Sequence, residues 1–291
     1  MRYAWIRNHV AIYPRAVMFR VLQVSASGYY AWRGRGPSKR KQREARITES
    51  VKTFHARSRQ IYGYRKVQKD LIQETEHSCS EELVRRIMRR NGLRSKVKRK
   101  FVVTTDSGHG YSVAPNRLAR RFEATEQNRK WVGDITYIQT REGWLYLSVI
   151  QDLYSRRIVG WSMSNRIKSE LVCDALKMAV QHRQPKPGLL FHSDRGVQYA
   201  AEEYQSLLSR YKFVCSMSRK GDCWDNACAE NFFSRLKSEH IQDRVYATRN
   251  EARQDVFWYI EMFYNRSRRH AALGYVSPVA FEEQRGWKQA A

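Results

Sequence analysis

The sequence predicts an α/β protein: a C-terminal mixed sheet with helices packed on it, preceded by a basic region that is entirely helical. Two observations support this prediction. Residues 1–130 contain 31 Lys and Arg against 10 Asp and Glu, whereas residues 131–291 contain 23 against 18. The hydrophobic pattern changes at about the same point, from helical spacing to a series of short strands and helices.

The first fifty residues are predicted to be an N-terminal basic helical segment. Residues 17–24 are apolar enough to form a packed helix, and the stretch Ser25–Gly28 should break it. Residues 34–46 are polar and strongly basic. This composition favours either a segment that faces DNA or links domains, or a merely solvated surface.

Residues 51–100 are predicted to form a helix-turn-helix DNA-binding region. Apolar residues at helical spacing indicate one helix over Tyr64–Glu74. The segment Ser78–Glu81 has the spacing of a capping box for a second helix, which should end at Gly92. An ordinary helical hairpin remains open as an alternative. The face of the second helix that would meet DNA carries Arg85, Arg86, Arg89 and Arg90.

The remaining chain is divided into a linker over residues 101–126 and a sheet domain over residues 127–285. Gly108 and Gly110 lie in the linker, where regular structure is not expected. The sheet domain should contain three consecutive strands, then a helix, a strand, a helix, a strand and two long helices. The predicted strands span 131–139, 144–150, 157–163, 188–192 and 213–217, and the helices span 169–182, 202–209, 226–240 and 249–266.

The net charge of +26 indicates a polyanionic partner, for which nucleic acid is the leading class. No apolar run approaches the ~20 residues that span a bilayer, and no cationic amphipathic anchor is evident, so no membrane partner is expected. Five cysteines at irregular spacing, without a secretory signal, are expected to be reduced thiols in the cytoplasm. The possible zinc ligands are Cys223, Cys228, His192 and His240. Their spacing matches no common structural zinc pattern.

Three acidic residues in the sheet domain are candidates for catalysis. Asp134 lies within the first strand, Asp194 follows the fourth strand, and Glu230 lies on a later helix. Strand ends are the usual ligand sites of open α/β sheets. If the three carboxylates converge, they repel one another unless cations are bound, and oxygen ligands favour Mg²⁺, with Mn²⁺ as a substitute. Spacing alone does not exclude the competing acids Asp152, Asp222 and Asp225.

The segments around these acids resemble a known family. Asp134 and Asp194 are separated by 59 residues, and Asp194 and Glu230 by 35. The second interval is similar to that of retroviral integrases and related transposases. Residues 131–137, 192–199 and 225–233 resemble the motif blocks of integrase-core transposases encoded by the second reading frame of bacterial insertion sequences. Segments near residues 62–65, 84–88 and 264–278 are also similar to this family, and the resemblance covers roughly residues 17 to 285.

The resemblance implies a ribonuclease-H-like domain that performs metal-dependent DNA end cleavage followed by strand transfer. It implies that Asp134, Asp194 and Glu230 are the catalytic residues and the ligands of two Mg²⁺ ions. The family has a basic residue at the position of Lys237, which implies a DNA contact near the reacting phosphate. His192 and Asn226 are further candidates for DNA-contacting or supporting groups. A locally hydrogen-bonded role in the core is equally open for these two.

The resemblance also implies the partners. These are transposon ends and target DNA, further copies of the chain assembled on that DNA, and a protein encoded in an upstream reading frame. The expected location is the bacterial cytoplasm, at the nucleoid. Two other functions stay open: a ribonuclease-H-like metal nuclease that only hydrolyses DNA, and a DNA-binding regulator without enzymatic activity.

Overall fold

The computed structural model describes residues 1–96, 113–219, 223–241 and 244–287. Its N-terminal third is helical, as expected from the sequence. The six helices of this region are α1 (Arg2–His9), α2 (Arg15–Val21), α3 (Ala26–Gly34), α4 (Lys39–Arg57), α5 (Tyr64–Glu74) and α6 (Glu81–Arg90).

Helices α1–α3 form a small unit around their own hydrophobic cluster, centred on Ile6, Met18 and Tyr29. The predicted break at Ser25–Gly28 is in fact the beginning of α3, because the Ser25 hydroxyl caps that helix by accepting from the Gly28 amide. The basic run over residues 34–46 largely belongs to α4. Helix α4 also crosses the predicted boundary between residues 50 and 51, so secondary structure does not divide the chain there.

Helices α5 and α6 form the predicted pair, with α5 at the expected bounds. The predicted capping box is wrong, because Ser80 rather than Ser78 caps α6, accepting from the Leu83 amide at 3.3 Å. Gly92 ends the helix as predicted, with a φ of +66° in the left-handed region. Of the predicted linker, residues 101–112 lie outside the described part. Residues 113–126 contain no helix or strand, although Leu118 is buried.

The sheet has five strands in the order β3-β2-β1-β4-β5. Pairing of β1 with β2 and of β2 with β3 is antiparallel, whereas β1 with β4 and β4 with β5 are parallel. The predicted mixed sheet and its strand sequence are therefore confirmed. The bounds are β1 (Lys130–Thr140), β2 (Gly143–Asp152), β3 (Ile158–Ser164), β4 (Leu190–Ser193) and β5 (Val214–Met217).

The helices of this domain follow the predicted order, with additions. The last two long helices both change to π-helical geometry, at Lys237–Ile241 after α10 and at Trp258–Tyr264 after α11. Periodicity at 3.6 residues does not reveal such a change. A C-terminal helix, α12, was not predicted. The α-helices are α7 (Ser169–Arg183), α8 (Val197–Ala200), α9 (Glu202–Arg210), α10 (Ala227–Leu236), α11 (Arg249–Phe257) and α12 (Pro278–Trp287).

The two faces of the sheet are covered by different helices. On one face, Trp131 and Phe191 pack with α7 and α9. On the other, Ile138 and Leu147 share a cluster with α10 and α11, and also with residues of α4, α5 and α6. The helix pair and the sheet domain therefore share one continuous core. In the described part of the chain, no helix has both the length and the apolar character needed to cross a membrane.

Candidate active site

Asp134 and Asp194 are brought together by the register of two parallel strands. Val132 of β1 pairs with His192 of β4, and each acid lies two residues beyond this pair along its own strand or its extension. Asp134 lies opposite Val149 on β2, and Val149 belongs to the cluster that contains α10. Directly opposite residues project from the same face of a sheet, so Asp134 faces α10, whose first turn carries Glu230.

The three carboxylates interact electrostatically. Burial raises the pKa of Asp134 well above its ordinary value, and the negative charges of Asp194 and Glu230 raise it further, against the opposing effects of the Ile135 amide and Lys237. The pKa of Glu230 is raised by burial and then by Asp194. Each charge therefore destabilises its neighbours, as expected for like charges that share one site.

Short local hydrogen bonds orient the two aspartates. The Ile135 amide donates to Oδ1 of Asp134 at 2.8 Å, and the Gly196 amide donates to Oδ1 of Asp194 at 2.9 Å. A Cβ at position 196 would lie 3.0 Å from that carboxylate oxygen, which favours glycine there. The loop after β4 is therefore closed tightly around Asp194.

Asn226 and Asp225 hold the beginning of α10 in place. Asn226 is buried, and its Nδ2 donates to the Gly133 carbonyl at 3.2 Å, which ties α10 to β1 beside Asp134. Asp225 is fully buried and accepts hydrogen bonds from Asn116, Arg120 and Arg219, and these bonds and charges hold its pKa below the ordinary range. These contacts position Glu230 one turn further along the helix.

Two of the competing acids therefore have structural roles. Asp225 is engaged as described. Asp152 accepts from the amides of Asn128 and Tyr154 at 2.8 and 3.0 Å, and burial raises its pKa to about 6. Asp222 lies outside the described residues. The carboxylates that raise the pKa of Asp134 are Asp194 and Glu230 rather than these two acids.

His192 lies in the core beside β5. Its ring is fully buried, with Nδ1 at 2.8 Å from the Ser216 hydroxyl and Nε2 at 3.2 Å from the Ser218 hydroxyl. Burial lowers its pKa to about 4, so the ring is neutral at pH 7. Both His192 and Asn226 are enclosed by neighbouring elements, which supports the alternative role as hydrogen-bonded core residues. A contribution of either residue to DNA binding stays a prediction.

Relatives over nearly the whole chain are insertion-sequence proteins. The uncharacterized 31 kDa protein of insertion element IS600 from Shigella sonnei is 44% identical over 267 residues, covering 92% of this chain and 98% of the relative. The transposase InsF for insertion sequence IS3A from Escherichia coli (strain K12) is 42% identical over 286 residues, covering 98% and 99%. The chain belongs to the insertion-sequence transposase family.

Different family models match the sheet domain and the helical region of the transposase. Models of the integrase core domain match residues 124–223 and 230–285, and a model of an HTH-like domain matches residues 41–101. The transposase thus has an integrase core built on a mixed five-strand sheet, preceded by a helical HTH-like region, and its enzyme class is polynucleotidyl transferase. The predictions of family, fold class and enzyme class are confirmed.

Solved structures with a similar fold include two of viral origin. The HTLV-2 integrase catalytic core domain in complex with magnesium (trimeric form) is 16% identical, covers 54% of the transposase and 98% of that chain, and has a TM-score of 0.43. The simian T-cell lymphotropic virus intasome in complex with PP2A regulatory subunit B56 gamma is 17% identical, with coverage of 74% and 69% and a TM-score of 0.43.

Lys237 of the transposase lies beside the carboxylates. Its Nζ lies 4.7 Å from the centre of the Tyr137 ring. Burial lowers the pKa of Lys237, whereas the nearby charge of Asp134 raises it. A half-buried ammonium group at this position can neutralise charge at the site, which supports the predicted role without testing it.

The four arginines of α6 are not equivalent. Arg85 pairs with Glu82 at 2.8 Å, and Arg90 pairs with Glu44 of α4 at 3.0 Å. Arg89 is exposed, whereas Arg86 is half-buried and its Nε has no hydrogen-bond partner within the described residues. Because exposed ion pairs contribute little to stability, Arg85 and Arg90 can exchange their carboxylate partners for phosphates at low cost.

Whether the three acids could hold a divalent cation depends on the spacing and on the chemistry of their side chains. Within the described ranges, no three His, Cys, Asp or Glu side chains are close enough together to enclose a metal ion. The donor chemistry nevertheless fits Mg²⁺, because the three mutually repelling groups are all carboxylates and cations would relieve the repulsion that raises the pKa of Asp134. Closer approach of the three side chains would be required for shared ligation.

Sequence reasoning missed the group that supports α10. Asn116 and Arg120 lie more than 100 residues before Asp225, and no periodicity relates them. An Asp beside the beginning of a helix is a local signal for a structural role. Its partners could be identified only from the folded chain.

Proposed function

We propose that this transposase cuts DNA at the ends of its insertion sequence and joins the freed 3′-hydroxyl to target DNA. In this proposal Asp134, Asp194 and Glu230 are the catalytic carboxylates and ligate two Mg²⁺ ions, with Mn²⁺ as a substitute. The single observation that supports the proposal best is the electrostatic coupling of these acids, which come from three separate elements. A protein without metal-dependent chemistry gains nothing from this repulsion.

Bound divalent cations would supply the positive charge that activates an oxygen nucleophile and stabilises the leaving oxygen of a phosphodiester. The chain itself supplies position. The β1–β4 register places the two aspartates side by side, and the Asn226 and Asp225 contacts hold the helix that carries Glu230. Lys237 would contact the DNA phosphate near the reacting atoms, because it is the basic group that interacts with Asp134.

The rest of the chain would recognise and hold DNA. We assign DNA contacts to Arg85, Arg86, Arg89 and Arg90 on α6. We retain the functional division into residues 1–50, 51–100, 101–126 and 127–285, although α4 crosses the first boundary. Assembly of several copies on DNA, a partner from an upstream reading frame and a location at the bacterial nucleoid belong to the same proposal.

The experiment supplies Mg²⁺ and two substrates, an uncut transposon end and a pre-cut end with a free 3′-hydroxyl. Glu230→Gln removes one carboxylate charge with little change of shape, so we expect cleavage and joining to fall at least 100-fold on both substrates. Asp174→Asn is the matched control, because Asp174 is an exposed acid on α7 that pairs with Lys177 on the same helix.

The two substrates also separate the proposed activity from its alternatives. Cleavage without any joining of the pre-cut end would favour a nuclease that only hydrolyses. DNA binding without either reaction in the parent protein would favour a regulator. If Glu230→Gln cleaves and joins as well as the parent, the three-carboxylate site is wrong.

A further inference from the structure

The N-terminal unit, defined as α1–α3 over residues 2–34, is basic and carries no acid. The first acidic residue of the chain is Glu44, which pairs with Arg90 of α6. The unit has no function in the chemistry described above. Its positive charge therefore remains available for a polyanion. The arginines of the unit and its flank are Arg2, Arg7, Arg15, Arg20, Arg33 and Arg35.

The same unit exposes aromatic rings in an ordered arrangement. Trp5 stacks on His9 with ring centres 4.0 Å apart, and Tyr13 lies nearly parallel to Trp5 at 6.3 Å. Trp5 is 44% exposed and Tyr13 is 49% exposed. The His9 Nδ1 lies 2.8 Å from the Trp5 carbonyl, which orients the imidazole ring within the stack. The rings are thus held in position before any ligand binds.

These rings lie outside the hydrophobic cluster of the unit. Its hydrophobic cluster consists of Ile6, Met18 and Tyr29 with partly buried neighbours, and it includes neither Trp5 nor Tyr13. The cluster is also separate from the core that joins α4–α6 to the sheet domain. A large aromatic ring outside the core contributes most to binding when another flat, apolar surface stacks on it.

We infer that the N-terminal unit binds single-stranded DNA, with bases stacking on Trp5 and Tyr13 and the phosphates held by the surrounding arginines. Exposed aromatic rings within a basic surface are the two components of sequence-independent single-strand binding. Intact duplex offers phosphates but hides the faces of its bases. A second copy of the unit would bring like charge against like charge, so self-association is disfavoured.

The inference rests on the proposed function in one respect, namely that DNA is the polyanion. Unpaired bases arise where a DNA end is cut or frayed, which is where the proposed reaction takes place. The unit would therefore hold the strand that is exposed at the reacting end.

The test measures binding of the full chain to a labelled oligothymidine and to a duplex of equal length, in EDTA so that no chemistry occurs. We expect Trp5→Ala and Tyr13→Ala each to weaken oligothymidine binding roughly 5- to 150-fold, the range for loss of one stacked base. Duplex binding should change less than about twofold. Trp5→Phe retains a stacking ring and should restore most of the affinity.

Phe257→Ala is the matched control, since Phe257 is an aromatic residue of similar exposure on α11. Equal losses for oligothymidine and duplex, or no loss for either alanine variant, would overturn the inference. So would unchanged DNA binding with altered sedimentation, which would indicate a protein interface instead. The binding assay contains EDTA and measures no cleavage or joining, so a failure of the catalytic proposal and a failure of this inference are distinguishable.

Discussion

Glu230 and Glu239 lie nine residues apart on one continuous helical stretch, yet their environments are opposite. Glu230 has its pKa raised by burial and by Asp194. Burial would also raise the pKa of Glu239, but hydrogen bonds and charge from Arg268, with help from Lys66 and Tyr259, outweigh it and lower the pKa. The protein compensates the charge of Glu239, and we propose that a bound cation compensates the charge of Glu230.

The Glu239 cluster joins three parts of the chain. Arg268 donates to Glu239 through Nε at 2.7 Å and through the terminal NH2 group at 2.5 Å, and the Tyr259 hydroxyl donates at 3.0 Å. Arg269, the next residue, pairs with Asp70 of α5. The compensated acid therefore lies in a structural joint between the HTH-like region and the core, whereas Glu230 faces the candidate active site.

Breaking the compensated pair should have the largest effect on stability. Arg268→Ala leaves Glu239 buried without its main partner, so we expect a loss of about 3–5 kcal/mol in the free energy of unfolding. Denaturant unfolding monitored by circular dichroism measures this loss. A loss below about 1 kcal/mol would show that solvent reaches Glu239 and that the contrast with Glu230 is false.

Removing a single donor from the same pair should have a smaller effect. Tyr259→Phe deletes the hydroxyl that donates to Glu239 while keeping the ring, and a hydrogen bond to a charged group contributes about 1.5–3 kcal/mol. The same unfolding experiment measures this change. Tyr264→Phe is a suitable comparison, because the Tyr264 hydroxyl bonds to the neutral Gln151 instead.

At the site of the three carboxylates, removing a charged group should raise the stability of the protein instead of lowering it. Asp134→Asn removes a carboxyl group whose pKa is raised in the folded state. The variant should therefore be slightly more stable than the parent at pH 7 without metal. We expect a rise of a few degrees in Tm together with loss of transposition activity. Mg²⁺ should stabilise the parent and not the variant, which thermal melts with and without the ion would measure.

The stabilisation by Asp134→Asn should also depend on pH. An acid with a raised folded pKa binds more protons when folded, so its ionisation destabilises the protein only above the unfolded pKa, near 3.8. The stability difference between variant and parent should therefore shrink as the pH falls from 7 towards 4. A difference that is constant across this range would contradict the assignment of the raised pKa to Asp134.

Much of the fold could be predicted because its signals are local. The strands containing Asp134 and preceding Asp194 were placed within a few residues, since apolar β-rich runs bounded by turns identify them. The cap of α6 was misplaced by two residues, because Ser78 and Ser80 both suit an N-cap and only the backbone path selects one. The π-helical segments and α12 lacked a local signal.

The sequence by itself determined most elements of the sheet domain, the positive charge of the N-terminal region and, through motif resemblance, the three candidate carboxylates. Only the tertiary structure decided how differently the acids are treated. It paired β1 with β4 so that Asp134 and Asp194 lie together, and it gave Asp225 and Glu239 the partners Arg120 and Arg268 from distant segments. The physical reason is that periodicity reports contacts within a few residues, whereas the compensation of a buried charge depends on groups that only folding brings near.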